Sequence, residues 1–122
     1  MIIDHIGLAV SDYAQSKDFY SKALAPLGIE EAMKTEGWSG FGKGGKPEFW
    51  FGVGRGVQQP THIAFAADNR REVDDFYEAA IAAGGKDNGA PGIRENYHPC
   101  YYAAFVFDPD GHNIEVVCHK PE

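Results

Sequence analysis

One stretch of this sequence occurs twice. Displaced by 57 residues, His5-Ile6-Gly7-Leu8-Ala9 falls on His62-Ile63-Ala64-Phe65-Ala66, and the match runs without a gap until Gly28 meets Gly85. Asp18-Phe19-Tyr20 lands on Asp75-Phe76-Tyr77, Ala23 on Ala80 and Ala25 on Ala82. Nine of these 24 positions are identical, where chance would give about one or two, so the chain is read as a duplication. At 122 residues it is too short for two independent cores. The halves, about 1–57 and 58–122, are therefore expected to share a single domain.

Each half opens as a strand and continues as a helix. Ile6, Leu8 and Val10 alternate with His5, Gly7 and Ala9, the period of two that puts alternate side chains on opposite faces of a strand. Ile63 and Phe65 alternate in the same way with His62, Ala64 and Ala66. Small residues beside a projecting His leave room on that face. Ser11 or Asp12 is the expected cap of a helix over 13–25, which Pro26 and Gly28 stop; Asp68 or Asn69 caps its counterpart, which ends at Gly84-Gly85. Strand-like segments 38–42 and 48–53 then flank a glycine-rich turn, and 101–107 and 113–118 flank Asp108-Pro109-Asp110-Gly111. Weaker strands are placed near 30–34 and 89–94. The predicted fold is α+β: two tandem βαβββ modules about a pseudo-twofold axis, a curved mixed sheet around a cavity, helices outside.

Charge narrows the partners. The net charge is -7, whereas nucleic acid and anionic membranes call for a basic patch, so neither is expected. No stretch is long and apolar enough for a membrane span, and the first residues lack the pattern of a signal peptide. Cys100 and Cys118 have no Cys-x-x-Cys spacing and read as a reduced pair in a cytoplasmic protein.

The chemistry is expected where the two halves meet. His5 and His62 open equivalent strands, so a pseudo-twofold axis would bring both imidazoles to one point. Glu115, flanked by Ile114 and Val116, is placed on the same face; a carboxylate among apolar neighbours needs a cation or donors. Two His and one carboxylate suit a divalent ion such as Fe, Mn, Ni or Zn, with positions left open for substrate.

Three segments carry a resemblance: His5-Ile6-Gly7-Leu8-Ala9-Val10, Thr61-His62-Ile63-Ala64-Phe65, and Asp108-Pro109-Asp110-Gly111-His112-Asn113-Ile114-Glu115. Together they resemble the vicinal-oxygen-chelate superfamily, which includes lactoylglutathione lyases, extradiol dioxygenases, fosfomycin thiol transferases and metal-free drug-sequestering proteins of the bleomycin-resistance type. The resemblance implies paired βαβββ modules around a metal site, and a homodimer by analogy. Lyases of this family generally add a second Glu from the first module. Aligning the hairpins at Gly45 and Gly111 puts Phe49 opposite Glu115, with Glu48 one residue away on the other face. The likeness is thus to the three-ligand branch. A phosphonate substrate would need several cations, and only Arg94 and Arg55 are nominated, which argues against a fosfomycin transferase.

The same alignment predicts a pocket wall of Ser39, Phe41, Phe49, Phe51 and Phe105, with Arg94 and Tyr97 on a covering loop. His98 and Tyr101 are the candidate acid-base groups. The expected function is a metal-dependent enzyme that stabilises an oxyanion or enolate of a small oxygenated or thiol-conjugated substrate. The alternative is a metal-free protein that binds a drug-like or aromatic ligand.

Overall fold

The structure, a computed structural model, describes residues 3–54 and 60–121; Arg55 lies outside them. The alternation at the start becomes strand β1 (Ile6–Val10), which buries Leu8 and Val10. Helix α1 (Tyr13–Ala23) begins where the Asp12 carboxylate accepts the Gln15 N–H at 3.0 Å, satisfying one of the orphan donors of a helix start. It stops ahead of Pro26, in a short 3-10 turn (Ala25–Leu27) closed by Gly28 at φ 77°, a left-handed conformation that glycine adopts without strain. Strands β2 (Glu30–Thr35), β3 (Trp38–Gly42) and β4 (Phe49–Val53) complete the first module. The second repeats the plan as β5 (His62–Ala66), α2 (Arg70–Ala82), β6 (Lys86–Ile93), β7 (Tyr102–Phe107) and β8 (Asn113–Cys118). Asn69 caps α2 through the Glu72 N–H.

The strands form two four-stranded mixed sheets, ordered β1-β4-β3-β2 and β5-β8-β7-β6. In each, the first strand runs parallel to the last and the remaining pairs are antiparallel. The α+β class and the tandem βαβββ plan are as expected. One apolar core joins the halves: Leu8, Phe49 and Phe51 of the first sheet cluster with Phe19 and Tyr20 of α1, Phe76 of α2, and Val106, Ile114 and Val116 of the second sheet. Phe49 meets Phe65 edge-on, with ring centres 5.2 Å apart.

A polar latch ties the same seam. The buried Tyr20 hydroxyl donates to Asp108, whose other oxygen accepts the N–H groups of Asp110 and His112. His112 is buried too. Its Nδ1 accepts the Thr61 N–H at 3.0 Å, which leaves the proton on Nε2 for the Ala9 carbonyl at 3.3 Å. The Asp-Pro-Asp-Gly-His run therefore both closes its own turn and joins the modules.

Strand register corrects the predicted pocket wall. Ile6 pairs with Phe49 and Ile63 with Ile114, so Phe49 is the counterpart of Ile114 and Trp50 the counterpart of Glu115. The two turns align by their hydrogen bonds, Lys46 N–H to Lys43 O and Gly111 N–H to Asp108 O, and not by their glycines. Gly44 and Gly45, at φ 62° and 82°, occupy the two central positions of the first turn, whereas Gly111 is the last residue of the second. Matching Gly45 to Gly111 therefore slips the register by one residue, and one residue turns every side chain to the other face. Phe41, Phe49 and Phe51 accordingly pack on the helix side in the core. Ser39 goes with them: it accepts from the Tyr13 hydroxyl at 2.6 Å and donates to Glu31 at 2.7 Å. Phe41 and Phe49 still border the cleft described below.

Candidate functional site

Glu115 and His62 meet on the face of the second sheet that points away from the helices. Glu115 is level with Ala64 across the β5–β8 pairing, and His62, two residues before Ala64, projects to the same side. His62 Nε2 lies 2.8 Å from Glu115 Oε1, and the Tyr101 hydroxyl donates to Glu115 Oε2. The carboxylate side chain is 2% exposed and the imidazole 53%. The carboxylate is buried, with the Tyr101 hydroxyl on one oxygen and the imidazole of His62, which opens to solvent, beside the other. Burial, and then the bond to Glu115, push the Tyr101 hydroxyl up to about 12. It remains protonated at neutral pH and orients the carboxylate.

The other predicted residues of this half surround the pair. Phe105 is level with Glu115 on β7, with its ring 6.3 Å from that of His62. The Arg94 guanidinium lies 5.3 Å from the Phe105 ring centre and donates to the carbonyls of Gly92 and Ala90. Tyr97 is exposed and its ring sits 5.0 Å from Tyr101. His98 accepts the Cys100 N–H at Nδ1 and faces His119, which also meets Tyr101 edge-on at 5.1 Å. His119 is an addition that strand parity did not single out. Both cysteines are free thiols.

His5 does not join the pair. Its side chain is 60% exposed and bonds the neighbouring Asp4 at 2.8 Å. Among the described residues, no three of His, Cys, Asp and Glu gather as a metal site requires. Within one chain, then, the structure brings together two of the three expected ligands, His62 and Glu115, with His5 held by Asp4. His5 and His62 nonetheless border one cleft of about 780 Å³, which also takes in Ile6, Ile63 and Phe65. It lies along β1 and β5, each the edge strand of its sheet. The chemistry of the pair suits a divalent ion: an imidazole nitrogen and a carboxylate oxygen 2.8 Å apart are disposed to face one cation, and a buried carboxylate calls for a positive partner or donors.

The first sheet presents different chemistry on the corresponding face. Trp50 stands where Glu115 stands in the second module, beside Gly40 and Gly7. Trp38 is level with Gly52. A Glu that would complete a four-ligand set is absent from that register position. Glu48, two residues from Trp50 and so on its face, sits at the strand's end and pairs with Lys46 at 3.9 Å.

A family model for the Glyoxalase/Bleomycin resistance protein/Dioxygenase superfamily matches residues 2–116. The chain belongs to this superfamily. Among solved structures, it is similar to a glyoxalase/bleomycin resistance protein from Albidiferax ferrireducens T118, with a TM-score of 0.85, 27% identity, and coverage of 97% of this chain and 99% of that one. A lactoylglutathione lyase from Agrobacterium tumefaciens shares the fold at a TM-score of 0.70 and 20% identity, over 95% of this chain and 92% of that one. The uncharacterized protein YqjT of Bacillus subtilis (strain 168) is 28% identical over 93% of this chain and 95% of its own length. Superfamily membership accounts for the duplicated βαβββ plan. Among the described residues no helix is long and apolar enough to cross a membrane.

Proposed function

We propose that this member of the superfamily is an enzyme acting on a small oxygenated or thiol-conjugated substrate. In this reading His62 and Glu115 hold a divalent ion (Fe, Mn, Ni or Zn) together with His5 of a second copy. The supporting observation is the buried Glu115 carboxylate presented beside an exposed imidazole on an open sheet face. Such an ion would supply Lewis-acid stabilisation of an oxyanion or enolate. Tyr101 fixes the carboxylate, and the exposed ring edge of His98 is the group available to move a proton. Arg94 and Phe105 form the adjoining wall.

The homodimer enters because the two half-sites lie on separate modules, while β1 and β5 are both edge strands able to meet those of another copy. Calorimetric titration with Mn(II) tests the metal. About one equivalent is expected per chain in the parent, with binding lost in Glu115→Gln and in His5→Ala. Mixing the Glu115→Gln and His5→Ala variants should recover part of the binding through mixed dimers carrying one intact site. Retained binding in Glu115→Gln would overturn the assignment. The rival reading, a metal-free binder of drug-like ligands, predicts ligand affinity indifferent to chelators.

A further inference from the structure

The outward face of the first sheet is built around two indole rings. Trp38 and Trp50 lie crosswise, each over a glycine of the other's strand. A Cβ on Gly40 would come within 2.7 Å of Trp50 Cε2 and 2.8 Å of Pro47 Cβ; one on Gly52 would overlap the Trp38 ring; one on Gly7 would touch Trp38 at 3.6 Å. The glycines thus let both rings lie flat on the sheet, half-buried, with their second π-faces turned outward. Met33 and Pro47 flank them in a groove of about 610 Å³ that continues to His5. Flat rings over glycine cost strand propensity, since glycine packs nothing and loses most entropy. The sheet spends that cost on a planar surface.

We infer that this groove is the substrate-ring subsite: it takes a planar aromatic ring that carries no negative charge, stacked on Trp38 and Trp50. The proposal deepens the reading above and rests on it for calling the ring a substrate. Three observations select this occupant. The groove is continuous with His5, so a ring seated there places its substituents at a candidate ligand of the site. Indole faces are electron-rich and prefer offset aromatic partners or cations to anions. The rim's lysine is already committed, with Lys46 Nζ 3.3 Å from Asp4 and 3.9 Å from Glu48. Among the described residues that line the groove no other lysine or arginine stands ready for an anion, and Asp4 adds a negative charge, in a chain of net charge -7.

The molecule supplies its own reporter, because the chain has two tryptophans in all and both line this groove. The test titrates the full chain with naphthol, N-methylquinolinium, naphthalenesulfonate and the saturated decahydronaphthol, by calorimetry and by tryptophan emission. Naphthol and N-methylquinolinium should bind with saturable changes in emission, naphthalenesulfonate about tenfold more weakly and decahydronaphthol not at all. Trp50→Leu should weaken the ring ligands about tenfold, with Trp38 still reporting and Mn(II) binding unchanged. Trp38→Phe provides the same comparison should Trp50→Leu fail to fold. Equal binding of the saturated ring would overturn the proposal, as would emission that responds to protein dilution and not to ligand, the mark of a second copy covering the face. Ring binding with no Mn(II) binding sinks only the metal assignment; Mn(II) binding with no ring binding sinks only this subsite.

Discussion

Tyr101, Glu115 and His62 form a chain in which each group is fixed by the next. The tyrosine hydroxyl serves a buried carboxylate, and that carboxylate serves a half-exposed imidazole. Removing the hydroxyl in Tyr101→Phe leaves one Glu115 oxygen without its donor, which should cost about 1–3 kcal/mol in a urea titration and weaken Mn(II) binding through a misdirected carboxylate. Asp108 makes a prediction of its own. Burial raises its carboxyl above 3.8, against the bonds from Tyr20 and His112 that lower it. Its protonated form is thus favoured by folding. The contribution is complete below the unfolded value and is lost as pH rises through the folded one. Chemical denaturation from pH 3.8 upward should show that loss in the parent and a flatter profile in Asp108→Asn, whose amide oxygen still accepts the two turn N–H groups.

At the scale of elements, the helices were the most legible part of the chain. Asp12 and Asn69 cap them as their side-chain chemistry requires, and Asp12→Ala or Asn69→Ala should each lower stability by about 1 kcal/mol in thermal melts. Strand locations were legible as well, because turn residues bracket them. Which face of β4 points where was not. That depended on whether a glycine sits inside a turn or at its end, a choice that backbone φ decides and composition does not. Gly45 and Gly111 look equivalent in sequence but occupy different turn positions, so the aromatic residues of β4 changed sides. In the second module no such ambiguity arises, and His62, Glu115, Tyr101 and Phe105 share a face as their parity predicts. Trp38 and Trp50 carry a signal of their own: each shares its strand face with a glycine two residues on, at 40 and 52.

For the whole molecule, the decisive fact is that one core serves both modules. Phe49 touches Tyr20, Phe51 and Phe65, so Phe49→Ala opens a hole where two sheets and a helix meet. It should cost about 3–5 kcal/mol, read from urea midpoints, and loosen both halves together. Whether His5 reaches His62 was not legible because that depends on how whole modules are placed, which no local periodicity encodes. If a second copy supplies the missing imidazole, Mn(II) affinity should fall as the protein is diluted below its dimer dissociation constant, whereas an affinity independent of concentration would place every ligand within one chain.

Duplication leaves two copies of every address in the fold, and the copies here have drifted apart. The position that carries a carboxylate in one half carries an indole in the other, resting in a hollow that Gly40 keeps vacant of side chain. A Trp50→Glu exchange would therefore find space already cleared around it, and would set a carboxylate at the same address in both halves.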